Sequence, residues 1–189
     1  MKKGFTDNNN VKEFIQLHFE KAKTDRLLLR KPRQEDAPYV FQIESDPRTN
    51  QFRPAGPMEH IEEATENING WQLDWNTYGF GYWMVTLPND PEVIGVGGIK
   101  SIRWKDRDVL NLYYRFLPTA WGNGYASELA RCAVDMRNNY LSNIPIIARV
   151  RSSNIPSLKV VEKSGLQRHP DLDTLEHLVY EFGWSIKKI

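Results

Sequence analysis

The chain has 189 residues, with 25 basic and 24 acidic side chains and a formal net charge of +1, which suits one domain with a full core and offers no general field for nucleic acid or an anionic membrane. A single cysteine, Cys132, excludes an internal disulfide and fits a reducing, cytoplasmic setting. Residues 1–7 have lysines but no apolar run behind them, so they do not read as a signal peptide, and no apolar stretch approaches the roughly 20 residues of a membrane span.

Residues 1–23 read as an N-terminal extension to one domain spanning 24–189. Asn10 and Glu13 have the spacing of a capping box, and Val11, Phe14, Ile15 and His18 then share one face: a short helix that docks on the domain or covers a partner subunit. Residues 26–30 read as a strand closed by Pro32. Residues 34–45 read as a helix with Ala37, Val40, Phe41 and Glu44 near one side, stopped by Asp46-Pro47. The longest helical pattern, 58–78, places Ile61, Ala64, Ile68, Trp71, Trp75 and Tyr78 at spacings of three and four. Ile61 to Ile68 reads as a core stripe. Trp71, Trp75 and Tyr78 can extend that stripe or wall an acceptor site, where an aromatic surface suits a peptide terminus or the carbon body of an amine.

Residues 80–87 and 93–104 read as two strands around the turn Pro88-Asn89-Asp90-Pro91. Gly95, Gly97 and Gly98 point to a bulge or close packing rather than a phosphate loop, because no helix follows them. Lys105-Asp106-Arg107-Asp108 is the next turn, and 109–117 the third strand of the meander, closed by Pro118. After it, Ala126, Leu129, Ala130, Ala133 and Val134 mark a helix to about residue 140. Residues 146–150 form a β-branched strand reached through that helix, which implies a parallel crossover. A second helix runs over 156–164 with Leu158 and Val161 inward and Gly165 as its left-handed stop. Strands at 166–169 and 174–184 close the chain around Pro170-Asp171-Leu172-Asp173.

Strand, Trp121-Gly122-Asn123-Gly124-Tyr125-Ala126, helix is the centre of this arrangement. The first turn of a helix carries unpaired N–H groups and the positive end of the macrodipole, and glycines at 122 and 124 let a ligand approach the backbone. That combination suits a phosphate or pyrophosphate. It is neither a P-loop, since no Gly-Lys-Ser/Thr follows, nor a dinucleotide fingerprint, since Ser127 stands at the third glycine and no acid follows about 20 residues on.

Pro118-x-x-Trp121-Gly122-Asn123-Gly124-Tyr125-Ala126, followed by Asn154-Ile155-Pro156-Ser157 and Glu162-Lys163-Ser164-Gly165-Leu166, resembles the GNAT superfamily of N-acetyltransferases, and within it the branch holding ribosomal-protein N-terminal acetyltransferases. The chain departs from the R/Q-x-x-G-x-G/A motif at Thr119. The resemblance implies an α/β fold with a mixed, largely antiparallel sheet of six or seven strands flanked by helices, strands 4 and 5 being parallel and splayed by a bulge in the first. It implies acetyl-CoA as cosubstrate and no metal. The pyrophosphate then lies on residues Trp121, Gly122, Asn123, Gly124, Tyr125 and Ala126, and the pantetheine arm pairs with the backbone of Arg115, Phe116 and Leu117. Arg115 either meets a CoA phosphate or is an exposed strand arginine. Asn154 is an N-cap or holds the pantetheine, and Ser157 sits in the first turn of its helix or near the thioester sulfur.

The activity so implied is direct acetyl transfer to a primary amine, a protein N-terminus or a small molecule, by a monomer or homodimer with no nucleic-acid or membrane partner. The alternative is a CoA-binding module without turnover. Ser157 and Tyr114 are the candidate catalytic groups, with the Tyr125 hydroxyl as another. The general base is open: Asn111 stands where relatives commonly carry Glu. Glu44, Asp108, Glu176 and His177 are the other candidates, while His60 and His169 have no supporting context.

Overall fold

The computed structural model describes residues 8–185. One seven-stranded sheet runs in the order β1-β2-β3-β4-β5-β7-β6. Its strands are β1 (Leu28–Arg30), β2 (Tyr82–Leu87), β3 (Asp90–Trp104), β4 (Arg107–Phe116), β5 (Ile146–Arg151), β6 (Gln167–Arg168) and β7 (His177–Phe182). All neighbours are antiparallel except β4 and β5. The helices are α1 (Asn8–Glu20), α2 (Ala37–Ser45), the single turn α3 (Pro47–Asn50), α4 (Ile61–Tyr78), α5 (Tyr125–Tyr140) and α6 (Ile155–Lys163). The mixed fold with a parallel fourth and fifth strand is the one the sequence implied.

Alternation along the strands builds two cores, one on each face of the sheet. Leu110, Leu112 and Phe116 of β4 pack with Leu129, Ala130 and Ala133 of α5. Tyr82, Met84 and Val96 pack with Val40 and Ile43 of α2 and Ala64, Ile68 and Trp71 of α4, with Tyr113 against them. The strand glycines serve this packing. A Cβ on Gly97 would lie 2.8 Å from Leu129 Cδ2, and one on Gly95 2.4 Å from the Phe116 ring. α5 and Phe116 therefore press directly on backbone.

Several boundaries differ from the sequence reading. The β2–β3 turn is two residues, Pro88-Asn89, because Leu87 already pairs with Asp90. The β3–β4 turn is Lys105-Asp106, both at positive φ (47° and 57°). That is the geometry whose twist matches antiparallel strands, and it lets β4 start at Arg107. The inward face of α1 is Ile15 and Phe19, not Val11 and Phe14, which are 41% and 55% exposed. Phe19 stacks on Trp83 at 5.4 Å, and Trp83 Nε1 donates to the Phe19 carbonyl at 2.9 Å. Ile61, expected in the core stripe of α4, is exposed at its first turn.

Candidate functional site

β4 and β5 pair only through Leu110↔Ile146 and Asn111↔Ile147. Beyond that fork the strands part. β4 keeps its register with β3 unbroken from Trp104↔Arg107 to Gly95↔Phe116, while β5 follows β7 from Ile146↔Phe182 to Arg151↔His177. No shift interrupts the β3–β4 register, so the splay needs no bulge there: each strand stays bonded to its outer neighbour, and the two half-sheets diverge.

Which main-chain groups face the gap follows from alternation. Leu117 N–H donates to Ile94 O at 2.9 Å, so odd-numbered residues at this end of β4 bond to β3; Leu110 N–H donates to Pro145 O at 2.8 Å, so even-numbered ones face β5. Tyr114 and Phe116 therefore turn their N–H groups into the opening. Of Arg115 and Leu117, expected to pair with a pantetheine arm, Arg115 turns its main-chain groups to β3, and Leu117 gives its N–H to Ile94 O while its carbonyl accepts from Ala120 N–H at 2.9 Å. The Phe116 carbonyl is also taken, by the Trp121 indole N–H at 2.9 Å. Half-exposed, Trp121 thus braces the end of β4.

The gap runs into the N-terminus of α5. Gly122 and Gly124 have φ of 79° and 78°. Gly124 is the N-cap residue, and no side chain caps the helix. Among the described residues, the main-chain N–H groups of 122–126 have no hydrogen-bond partner. A Cβ at Gly122 would meet nothing within 4 Å, and one at Gly124 only Arg26 Nη2 at 3.7 Å, so the space above the turn is open. The carbonyl side, by contrast, is tied down. Asn123 Nδ2 donates to Ala120 O and Trp121 O, both at 3.2 Å. Arg26 Nη1 donates to Asn123 O at 2.9 Å. Arg26 itself is held by Glu128 at 2.6 Å and lies 5.0 Å over the Tyr125 ring. With its carbonyls bound, the turn presents its donors outward. Arg26, which the sequence offered only as a strand residue, is the clamp.

Across the gap, the Tyr114 hydroxyl lies 2.7 Å from Ser157 Oγ and donates to Ser157 O at 3.0 Å. Burial pushes the Tyr114 phenol up to about 12, against the opposing hydrogen bond with Ser157, so it keeps its proton at any working pH. Asn154 caps α6, its Oδ1 accepting from Ser157 N–H at 3.1 Å. Tyr114, Ser157, Asn154, Gly122, Gly124 and Trp121 line one continuous cleft of about 540 Å³, inside the roughly 300–1,000 Å³ range of ligand pockets.

The cleft passes through the sheet to the α2 side. Arg115 points there, not toward the α5 turn: its Nη1 donates to Glu44 Oε2 and Asn50 Oδ1, each at 2.5 Å. Its side chain is therefore neither an exposed strand arginine nor aimed at the α5 turn. Tyr113 Oη donates to Glu44 Oε1 at 2.5 Å. Glu44 is buried with both oxygens engaged, which leaves it unsuited as a free base. Asn111 sits at the fork, its Nδ2 donating to the Tyr82 hydroxyl at 3.1 Å. Asp108 is exposed beside Arg103 at the β3–β4 turn, away from the cleft. Glu176 bonds Arg151 at 3.0 Å on the rim. His177 lines the cleft; burial, then Arg149 and Arg151, hold its imidazole below the ordinary value.

The expected aromatic wall is elsewhere. Trp75 is wholly buried, its Nε1 donating to Tyr82 O at 2.9 Å. Trp71 is buried edge-on to Tyr82, and Tyr78 packs beside Phe80. None of the three lines the cleft: α4 turns Trp71 and Trp75 into the core and leaves Tyr78 exposed at its C-terminal end. Cys132, half-buried on α5, has its thiol raised to about 11 by burial. His60 and His169 precede helical turns. Among the described residues, no group of three or more His, Cys, Asp or Glu could hold a metal ion.

Residues 26–167 match the family model of the acetyltransferase (GNAT) domain. The chain is similar to the uncharacterized N-acetyltransferase YoaA of Bacillus subtilis (strain 168), 27% identical over 165 residues that cover 87% of this chain and 91% of that one. Among solved structures it is similar to the acetyltransferase from Agrobacterium tumefaciens str. C58, with a TM-score of 0.73 and 25% identity over 85% of this chain and 92% of that one. It shares its fold with Mycobacterium smegmatis RimJ in complex with CoA-disulfide, at a TM-score of 0.61 and 18% identity, covering 82% and 81% of the two chains. Splayed parallel strands opening onto a glycine turn with free N–H donors, within a span that the family model covers, place this chain in the GNAT acetyltransferases.

Proposed function

We propose that this acetyltransferase uses acetyl-CoA to acetylate a primary amine by direct transfer, the acceptor entering from the α2 side of the sheet and the cosubstrate from the α5 side. The observation that carries this reading is the continuity of the opened β4–β5 gap with the unpartnered N–H groups of 122–126. The residues present fit acetyl-CoA: the turn offers anion donors over open space, and the gap offers a free strand edge for an amide-rich arm. When bound, acetyl-CoA supplies an activated acetyl thioester.

The chain's own groups do the rest. The N–H groups of 122–126 hold a diphosphate. Tyr114 and Phe116 N–H donate to carbonyls lying in the gap. The Asn154 Oδ1 is committed to its cap, which leaves the Nδ2 for the arm. Ser157 Oγ, held 2.7 Å from the Tyr114 hydroxyl, is the proton donor for the leaving thiolate. For the opposite proton, from the acceptor amine, His177 is the cleft-lining imidazole, its proton affinity held below the ordinary value by burial and then by Arg149 and Arg151. It accepts that proton directly or through water.

The test is thiol release over a panel of amines and N-terminal peptides, beside calorimetric titration of CoA. Turnover on any amine supports transfer. Tight CoA binding with no release from any acceptor supports the alternative, a CoA-binding module, for which Asn111 is the favouring observation: the residue at the fork is an amide bonded to Tyr82 and not a carboxylate.

A further inference from the structure

The acceptor side of the cleft is cationic, and the protein leaves part of that charge unmatched. Arg48, Arg53, Arg115, Arg149 and Arg151 line it. Three carboxylates stand near them, and each is already committed. Asp46 holds Arg48 through both oxygens. Glu44 is engaged by Tyr113 and Arg115. Glu176, 60% exposed, reaches Arg151 through one oxygen. Arg53 Nη1 is buried from water, makes no hydrogen bond among the described residues, and comes no nearer than 3.5 Å to Glu44 Oε2. Arg151 Nε is buried and likewise without a hydrogen bond. The Arg149 side chain is exposed, and its guanidinium has no hydrogen bond or ion pair among the described residues. The same charge acts on His177, which faces Arg149 and Arg151 from β7 and has Glu176 as its opposing acid.

A diphosphate on the α5 turn does not account for these groups. Arg115 and its neighbours occupy the α2 face of the sheet, while α5 packs on the other face. Holding the Arg53 Nη1 and Arg151 Nε groups out of water costs free energy unless an anion completes them, and the planar fork of a guanidinium matches a carboxylate.

We propose that the acceptor amine carries a carboxylate, and that Arg53, Arg149 and Arg151 receive it at the mouth of the cleft. The proposal rests on the acetyl-transfer reading and names its substrate class: an amine with a carboxylate close by, either an α-amino acid or a peptide N-terminus followed by Asp or Glu. The same charge repels polyamines.

The experiment uses two matched pairs at saturating acetyl-CoA: alanine against alaninamide, and an amidated Ala-Asp-Glu peptide against its Ala-Asn-Gln counterpart, with spermidine as a cationic control. The expected result is a kcat/KM at least about tenfold higher for the carboxylate member of one pair; which pair shows it identifies the source. Arg149→Gln and Arg53→Gln should each erase most of that preference and leave KM for acetyl-CoA within about twofold. Equal rates within both pairs, or spermidine as the better acceptor, overturn the proposal. A second arm needs no turnover: the N-acetyl forms of the same compounds are titrated calorimetrically onto the protein–CoA complex. Carboxylate preference in binding without turnover keeps the anion site and overturns acetyl transfer. Turnover without preference does the reverse, and absence of both overturns the two together.

Discussion

Single atoms decide the outcome at Gly124 and Ser157. Gly124 lies at φ 78°, where a side chain costs about 1–2 kcal/mol, and the added atoms would project into the open space over the turn. Gly124→Val should therefore lower CoA affinity at least about tenfold in a calorimetric titration while the protein still folds; retained affinity would place the cofactor elsewhere. Ser157 is tied to Tyr114 by a 2.7 Å hydroxyl contact. Removing a positioned proton donor costs on the order of 10²-fold in rate, so Ser157→Ala should lower kcat by about that factor and leave the CoA dissociation constant nearly unchanged. Should both parameters stay at the wild-type level, Ser157 is only part of the first turn of α6. Both positions were legible in the sequence, Gly124 through its own glycine spacing and Ser157 through the resemblance to the GNAT family. The direction of Arg115 was not. A strand arginine can face either side, and only the partners Glu44 and Asn50, about 65–71 residues away in sequence, settle which.

At the scale of elements, the turn before α5 is fixed through its carbonyls, by Asn123 Nδ2 from within and by Arg26 from outside. Arg26 precedes β1, yet it reaches Asn123 O and Glu128 of α5. Burial works against the Glu128 carboxylate, but hydrogen bonds from Thr24 and Arg26 outweigh it and hold the group below its ordinary value. Arg26 is about half exposed, so its pair contributes under about 1 kcal/mol to stability. Its effect is on the turn's conformation. Arg26→Ala should raise KM for acetyl-CoA several-fold with kcat and melting temperature little changed; a fall in kcat with KM constant would assign Arg26 another role. Turn chemistry also explains the misplaced strand ends. Lys105 and Asp106 adopt a left-handed two-residue turn more usual for Asn and Gly, so composition suggested a longer loop.

On the scale of the whole molecule, the cleft exists because two half-sheets diverge, and its field is assembled from α3, β4, β5 and β7 together. His177 feels burial first and then Arg149 and Arg151, and all three lower its proton affinity. Its folded-state value lies below the unfolded one, near 6.5. The unfolded chain therefore binds more protons in that window, and stability falls as pH drops through it. For activity the sign is the same, since the uncharged imidazole is the form that accepts a proton. The acidic limb of kcat/KM should inflect below about 6.5, and His177→Gln should remove or displace that inflection. An unchanged limb in the variant would take His177 out of the reaction.

By itself the sequence determined the order of elements, the parallel crossover, the glycine turn and the second block that caps α6, because each is written in patterns a few residues long. The tertiary structure alone decided which strand residues face the gap, that Trp75 is core and not wall, that Glu44 is spent on Arg115 and Tyr113, and that Arg53, Arg149 and Arg151 line one cleft. The physical reason is range: periodicity fixes a face relative to its own element, whereas register, splay and charge partners depend on contacts between segments far apart along the chain.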